Sequence, residues 1–202
     1  MIIPKTKLSR REGRNLYLKG SRSMGAKACY TRRQTRPGQH GVSMTRMSAY
    51  ARQLRAKQSV KRYYMMREKQ FRKFYDEAVT IAKNSNQDKG YVFLQLLERR
   101  LDNTIYKSGL AKSKSAARQL VSHGHVLVNG VKVKSPSYRV NINDEIEIKA
   151  KVFDKFKPDY KFPFNVKWIT SNGNKCKVLE YPKREDIDQM FKESLIVELY
   201  SR

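Results

Sequence analysis

The stretch LLERRLDNTIYKSGLAKSKSAARQLVSHGHVLVNG, residues 96–130, holds two helical signatures and the start of a hairpin. Leu94, Leu97, Leu101 and Ile105 recur at spacings of three and four, which predicts one amphipathic helix ended by Gly109. Arg100, Asn103 and Lys107 share another face of that helix. Ser113 offers an N-cap oxygen to a second helix, with Ala116, Ala117, Leu120 and Val121 inward and Lys114, Arg118 and Ser122 stacked on the far side. Gly124 suits a left-handed cap, because no side chain opposes that backbone. HVLVNGVKV, residues 125–133, alternates about an Asn129-Gly130 turn, and RVNINDEIEIK, residues 139–149, alternates again. The expected fold is α+β: two helices packed on a short, mostly antiparallel sheet, with cationic helical edges facing a ligand.

Outside this unit, charge dominates. The 202 residues carry 44 Lys and Arg against 18 Asp and Glu, a formal charge of +26. Such a density opposes compaction unless a polyanion neutralises it, so nucleic acid is the expected partner. No apolar run approaches the roughly 18 residues of a membrane span. The basic N-terminus MIIPKTKLSRREGRN has no apolar signal stretch, and Pro4 and Gly13 break up an amphipathic transit helix. Cys29 and Cys176 stand far apart without metal-site spacing, which points to free thiols in a reducing compartment and to neither disulfide framework nor metal.

Composition divides the chain into three. Residues 1–42 read as an extended, loop-rich basic arm with little core of its own, ordered against RNA. Residues 43–90 read as helical, with core stripes at Met47, Tyr50, Ala51 and Leu54 and at Phe71, Phe74, Tyr75, Ala78 and Val79. Tyr63 and Tyr64 fit helix packing better than base stacking. Residues 91–180 form the unit above, extended by an aromatic segment that includes Phe153, Phe156, Tyr160, Phe162, Phe164 and Trp168 and by a hairpin at TSNGNK, residues 170–175. Residues 181–202 end in SLIVELYSR, apolar enough to dock as a strand or tail.

Three stretches, RREGRNLYLKG (10–20), RPGQHG (36–41) and residues 96–130, closely resemble the small-subunit ribosomal protein four family in its bacterial or organellar form, and PKRED (182–186) and LIVELYSR (195–202) agree. The third stretch alone also recurs in pseudouridine synthases, a heat-shock RNA binder and tyrosyl-tRNA synthetases; the N-terminal motifs single out the ribosomal protein. The resemblance implies direct binding of 16S-type rRNA at a multi-helix junction of the 5′ domain, nucleation of subunit assembly and a contribution to translational accuracy. It further implies neighbouring small-subunit proteins five and three, proximity to incoming mRNA, and in some bacterial members repression of their own operon. It places the inserted domain at about 94–180 and returns the C-terminal tail to the N-terminal helices. It implies a ribosome in the cytoplasm or an organelle, and neither a cofactor, a membrane nor a small-molecule substrate. Many relatives carry four zinc-binding cysteines in the arm. Here Thr6 and Ser9 stand at the first pair, so no zinc is expected. Only Arg46 remains basic in VSMTRM (42–47), which weakens any role at the incoming mRNA.

The candidate RNA contacts are Arg10, Arg11, Arg14, Lys19, Arg22, Arg32, Arg33, Arg36, Gln39 and His40 in the arm. The helical region adds Arg46, Tyr50, Arg52, Arg55, Lys57, Arg62, Arg67 and Arg72. The inserted unit adds Arg100, Asn103, Lys107, Ser113, Lys114, Arg118, His123 and His125. The two histidines lack Cys, Asp or Glu partners at ligand spacing, so they read as a corner at an RNA face, with His123 the better donor. Arg100-Leu101-Asp102 matches a fragment of the pseudouridine synthase motif, but no chain remains for that enzyme's catalytic sheet, and no enzymatic activity is expected. On this reading, reversing charge at Arg100, Lys114 and Arg118 weakens RNA binding without unfolding the chain.

Overall fold

The computed structural model describes residues 4–24, 28–42, 46–158, 160 and 166–201. Residues 43–45, Phe162 and Phe164 lie outside the described residues, as does the Cys29 side chain. The helices are α1 (Lys5–Glu12), α2 (Cys29–Arg32), α3 (Ala49–Tyr63), α4 (Glu68–Ser85), α5 (Lys89–Glu98), α6 (Leu101–Lys107), α7 (Lys114–Ser122), α8 (Ala150–Phe156) and α9 (Glu193–Tyr200). The strands are β1 (Val126–Val128), β2 (Val131–Lys132), β3 (Glu145–Ile148), β4 (Ile169–Asn172) and β5 (Lys175–Val178). They form one fully antiparallel sheet in the order β2-β1-β3-β5-β4. The architecture is α+β, as the sequence indicates.

Two cores divide the chain. One joins Leu16 and Leu18 of the arm to α3, α4 and α5 and to Ile187, Phe191 and Ile196. The other joins α6 and α7 to the inner sheet face, with Trp168 fully buried. Apolar side chains of α5 therefore belong to the first core, and the expected boundary at 90/91 moves to Glu98–Leu101.

The single helix expected across that boundary is two. Nothing in the local sequence breaks it; a competing backbone partner does. Arg100 forms a β-bridge with Arg139, Leu101 N–H donates to Tyr138 O (2.8 Å), and Val140 N–H donates to Arg99 O (3.0 Å). A pairing 39 residues away is invisible to a periodicity argument.

Other expectations are corrected by what lies nearby. Phe71, Phe74, Tyr75 and Ala78 are buried as predicted. In α3 the buried residues are instead Gln53, Ser59, Val60 and Tyr63, and Met47 and Tyr50 stand 40% and 54% exposed. The apolar stripe and the core face are different faces of that helix. The arm is not simply extended: it contains α1, a 3-10 turn (Gly20–Ser23) and α2, and Leu16 anchors it. The C-terminal run is a helix, α9, packed on α3 and α5. α8 falls in the segment read only as aromatic, where no helix was expected.

The local chemistry of the inserted unit is as read. Ser113 Oγ caps α7 by accepting from Ala116 N–H (3.2 Å). Asn129 and Gly130 both have positive φ, as a tight two-residue hairpin turn requires. After α7, Gly124 N–H donates to Val121 O and His125 N–H to Leu120 O, with Gly124 at φ +70°, so the SHGHV corner is a Schellman cap. The hairpin around TSNGNK is β4–β5.

Gly20 ties the arm to the inserted unit. It sits at φ +59°, and a Cβ there would lie 2.1 Å from Lys112 O, a backbone atom that cannot step aside. At Gly124, φ +70°, the obstacle is only the flexible Cε of Lys132. Gly124→Ala should therefore cost only the left-handed penalty, roughly 1–2 kcal/mol. Gly20→Ala should add a steric cost of about 1–3 kcal/mol and loosen the arm. Urea unfolding of the two variants, with proteolysis of residues 1–24 as the local readout, checks the ordering.

Candidate nucleic-acid interface

The predicted RNA contacts fall into three environments. In the first, cations stand exposed: Arg11, Lys19, Arg22, Arg32, Arg33 and Arg36 in the arm, Arg46 and Arg52 at α3, Arg67 and Arg72 at α4, with Gln39, His40 and Tyr50. Arg11, Arg36, Arg46 and Arg55 rim a concavity of about 710 Å³ between the arm and α3, over a floor that includes Met47, Ala51 and Leu54. A connected lobe of about 400 Å³ adds Arg14, Arg52 and Lys192. Phosphates would meet the rim and an unstacked base the apolar floor.

In the second environment, cations hold the fold while keeping partial exposure. Glu12 draws α1 onto α3, accepting from Arg55 Nη1 (3.1 Å) and from Arg62 Nη1. Burial raises the Glu12 carboxyl pKa against the pull of Arg62 and Arg55. Lys57 and Lys61 share Glu68 (2.7 and 2.6 Å). Arg14 Nη1 donates to Met190 O (2.5 Å), and Arg10 Nε donates to Thr35 O (2.9 Å). The Glu12, Arg14 and Arg10 contacts brace the arm so that its exposed neighbours keep their places, while the Glu68 pairs tie α3 to α4.

The third environment overturns part of the sequence reading. Arg100, Asn103, Lys107 and Lys114 are buried between the two cores. Arg100 grips Asp102 with two bonds (2.7 and 3.1 Å), and Arg118 Nη1 lies 3.7 Å from the same carboxylate while donating to Met65 O (3.0 Å). Glu98, fully buried, accepts from Tyr64 Oη (2.7 Å) and Asn103 Nδ2 (2.5 Å), with Lys107 Nζ at 3.8 Å. Lys114 Nζ donates to Asn103 Oδ1 (3.4 Å) and sits 2.9 Å from the Tyr63 ring centroid, 5.0 Å from Tyr64 and 5.2 Å from Tyr106. Burial pulls the Lys114 pKa well below the ordinary lysine value, opposed by Glu98. Further along the same junction, Arg139 pairs with Glu77, and Phe74 lies between the guanidinium groups of Arg100 (5.6 Å) and Arg139 (5.3 Å).

The helical spacing of these cations is real, but their face meets another part of the same chain. A polar stripe opposite an apolar one has the same pattern whether water, RNA or a second core covers it. Asp102, the residue a pseudouridine synthase would need at its reacting centre, is held between two arginines.

At the corner after α7, His123 is exposed and His125 half-buried, with ring centroids 6.2 Å apart. The stem of Lys132 crosses Gly124 beside them, and Lys134 lies alongside. Both lysines are exposed and were absent from the predicted set, although hairpin alternation puts them at outward positions. Among the described residues, no group of three or more His, Cys, Asp or Glu could hold a metal ion. No helix among them is long and apolar enough to cross a membrane.

Charge at Arg100, Lys114 and Arg118 is therefore structural. Arg100→Ala should lower stability by about 3–5 kcal/mol, because Asp102 is left buried with a weaker partner. Chemical denaturation measures this; a loss under about 1 kcal/mol would place Arg100 outside the junction.

Comparison with known proteins agrees with this division. The model of the "Ribosomal protein S4/S9 N-terminal domain" matches residues 2–98, and the "S4 domain" model matches residues 99–146, so the family boundary falls where the cores separate. The chain is 47% identical to small ribosomal subunit protein uS4A of Clostridium botulinum (strain ATCC 19397 / Type A) over 201 residues, covering 97% of this chain and 96% of the relative. It is 45% identical to uS4 of Halothermothrix orenii over 206 residues, covering 98% and 97%. It is 44% identical to uS4 of Caldicellulosiruptor saccharolyticus over 208 residues, covering 100% and 98%. With two adjoining family matches and near-complete coverage at this identity, the chain belongs to the uS4 family of structural ribosomal proteins of the small subunit.

Proposed function

We propose that this protein binds 16S-type rRNA directly within the 5′ domain, engaging a multi-helix junction through two separated cationic surfaces and thereby helping to nucleate subunit assembly. The observation that carries this is the arm–α3 groove, where Arg11, Arg36 and Arg46 stand exposed around an apolar floor that includes half-exposed Met47. The second surface is the His123–His125 corner with Lys132 and Lys134. Fixed surfaces of this kind read the shape of folded RNA, since the deep groove of an A-form helix hides base edges from side chains.

Carboxylates gather elsewhere. Six of the eighteen, Glu180, Glu185, Asp186, Asp188, Glu193 and Glu198, lie in the last 23 residues, where only Lys183, Arg184, Lys192 and Arg202 are basic. Exposed Leu179 adjoins this stretch and exposed Tyr181 lies within it. A less cationic, partly apolar surface suits basic ribosomal proteins better than RNA, and proteins five and three of the small subunit are the proposed neighbours. The finer roles, in translational accuracy and beside incoming mRNA, follow from those contacts.

Replacing Arg11, Arg36 and Arg52 together with Gln should leave the fold intact and weaken binding to a 16S 5′-domain RNA at least tenfold. It should also flatten the dependence of log K on log [salt] by roughly two to three, near one per lost phosphate contact. Filter binding across a KCl series measures both. Parental affinity and slope in the triple variant would remove this groove from the interface.

A further inference from the structure

The RNA-facing groove belongs to one core and the histidine corner to the other, so their relative placement depends on what fixes one core against the other. Lys114 enters the junction from α7 of the inserted unit, while Tyr63 and Tyr64 come from the end of α3. Its Nζ lies over the Tyr63 ring, with the Tyr64 and Tyr106 rings and the Asn103 amide around it. Tyr63 in turn packs edge-on against Tyr64 (centroids 5.0 Å) and Phe191 (4.9 Å), so the ring under the ammonium is itself held by the first core.

An apolar side chain of the same length would avoid the desolvation cost of a buried cation, and such replacements are often neutral or stabilising. What a cation supplies is direction: it is attracted to ring faces and to hydrogen-bond acceptors at set positions, whereas an aliphatic contact tolerates sliding. Glu98 also crosses the junction, buried with Asn103 and Lys107, but it and both partners lie on consecutive helices α5 and α6; of the contacts between segments distant in sequence, Arg139–Glu77 is about one-third exposed on both sides and Arg118 about one-third exposed.

We propose that Lys114 is a positioning residue: its ammonium, seated in the Tyr63, Tyr64 and Tyr106 cage, sets the angle between the helical domain and the inserted domain. RNA binding then depends on Lys114 although it touches no RNA; that consequence rests on the function proposed above, while the angle itself does not.

Spin labels at Asn86→Cys and Asn172→Cys, one on each domain, report the angle as a distance distribution in a Cys29→Ser background. Cys176 is buried with its thiol pKa pushed up to about 12 by burial, so it stays unlabelled. The parent should give one narrow distance peak. Lys114→Met should at least double its width while the protein remains folded, and should weaken 5′-domain RNA binding about tenfold with the salt slope unchanged. Tyr63→Phe keeps the ring face and loses a hydroxyl that has no hydrogen-bond partner among the described residues, so it should match the parent; Tyr63→Leu should behave like Lys114→Met. A folded Lys114→Met with the parental width overturns the proposal. If Lys114→Met does not fold, the Tyr63 pair decides, and equal widths for Leu and Phe overturn it. A parent that fails to bind the RNA sinks the functional reading and leaves the angle result standing.

Discussion

Glu98 is a fully buried carboxylate around which the two halves of this chain meet. It ends α5 of the first core, accepts from Tyr64 on one side and Asn103 on the other, and stands within 4 Å of Lys107. Taking such groups out of water is costly, and the cost is offset only when each charge finds a partner in good geometry. The rest of the junction can be understood from that requirement: a lysine and an amide at Glu98, two arginines on Asp102, an ammonium on tyrosine faces. Removing one member leaves the others buried and less well satisfied, so the junction acts as a unit.

This arrangement changes what a charge of +26 means. The cations are not one undifferentiated coat for RNA. Some are spent on the junction, some brace the arm through Glu12 and backbone carbonyls or tie α3 to α4 through Glu68, and the remainder stand at the surface with few carboxylates near them. Self-repulsion among that last group is what an RNA partner would relieve. Placement of carboxylates decides the sorting, because each buried or bracing cation has an acidic or carbonyl acceptor within reach.

Much of the fold was legible. The hairpin at Asn129-Gly130, the cap at Ser113 and the corner at Gly124 depend on residues within a few positions of one another, and local chemistry specifies them. The stripe Phe71, Phe74, Tyr75 and Ala78 was legible because its helix has a single buried face. The break at Arg99–Arg100 was not, since its cause is a bridge to Arg139. Nor was the burial of Arg100, Lys107 and Lys114, because helical periodicity identifies a face without saying what covers it. A better signal was present in Tyr63-Tyr64 and Glu98, aromatic and acidic residues with no evident reason to face RNA. Met47 and Tyr50 misled in the opposite sense: at helical spacing they read as core, yet both stand exposed, Met47 on the floor of an open groove.

The most direct measurement of this sorting is residue-resolved chemical modification of the native protein, free and bound to 16S 5′-domain RNA. Lysines would be reductively methylated, arginines treated with phenylglyoxal, and both read by peptide mass spectrometry. The account predicts that Arg100, Lys107 and Lys114 stay unmodified in both states, while Arg11, Arg36, Arg52 and Lys132 react in the free protein and are protected by RNA. Ready modification of Lys107 and Lys114 in the free protein, with protection appearing only on RNA addition, would contradict it.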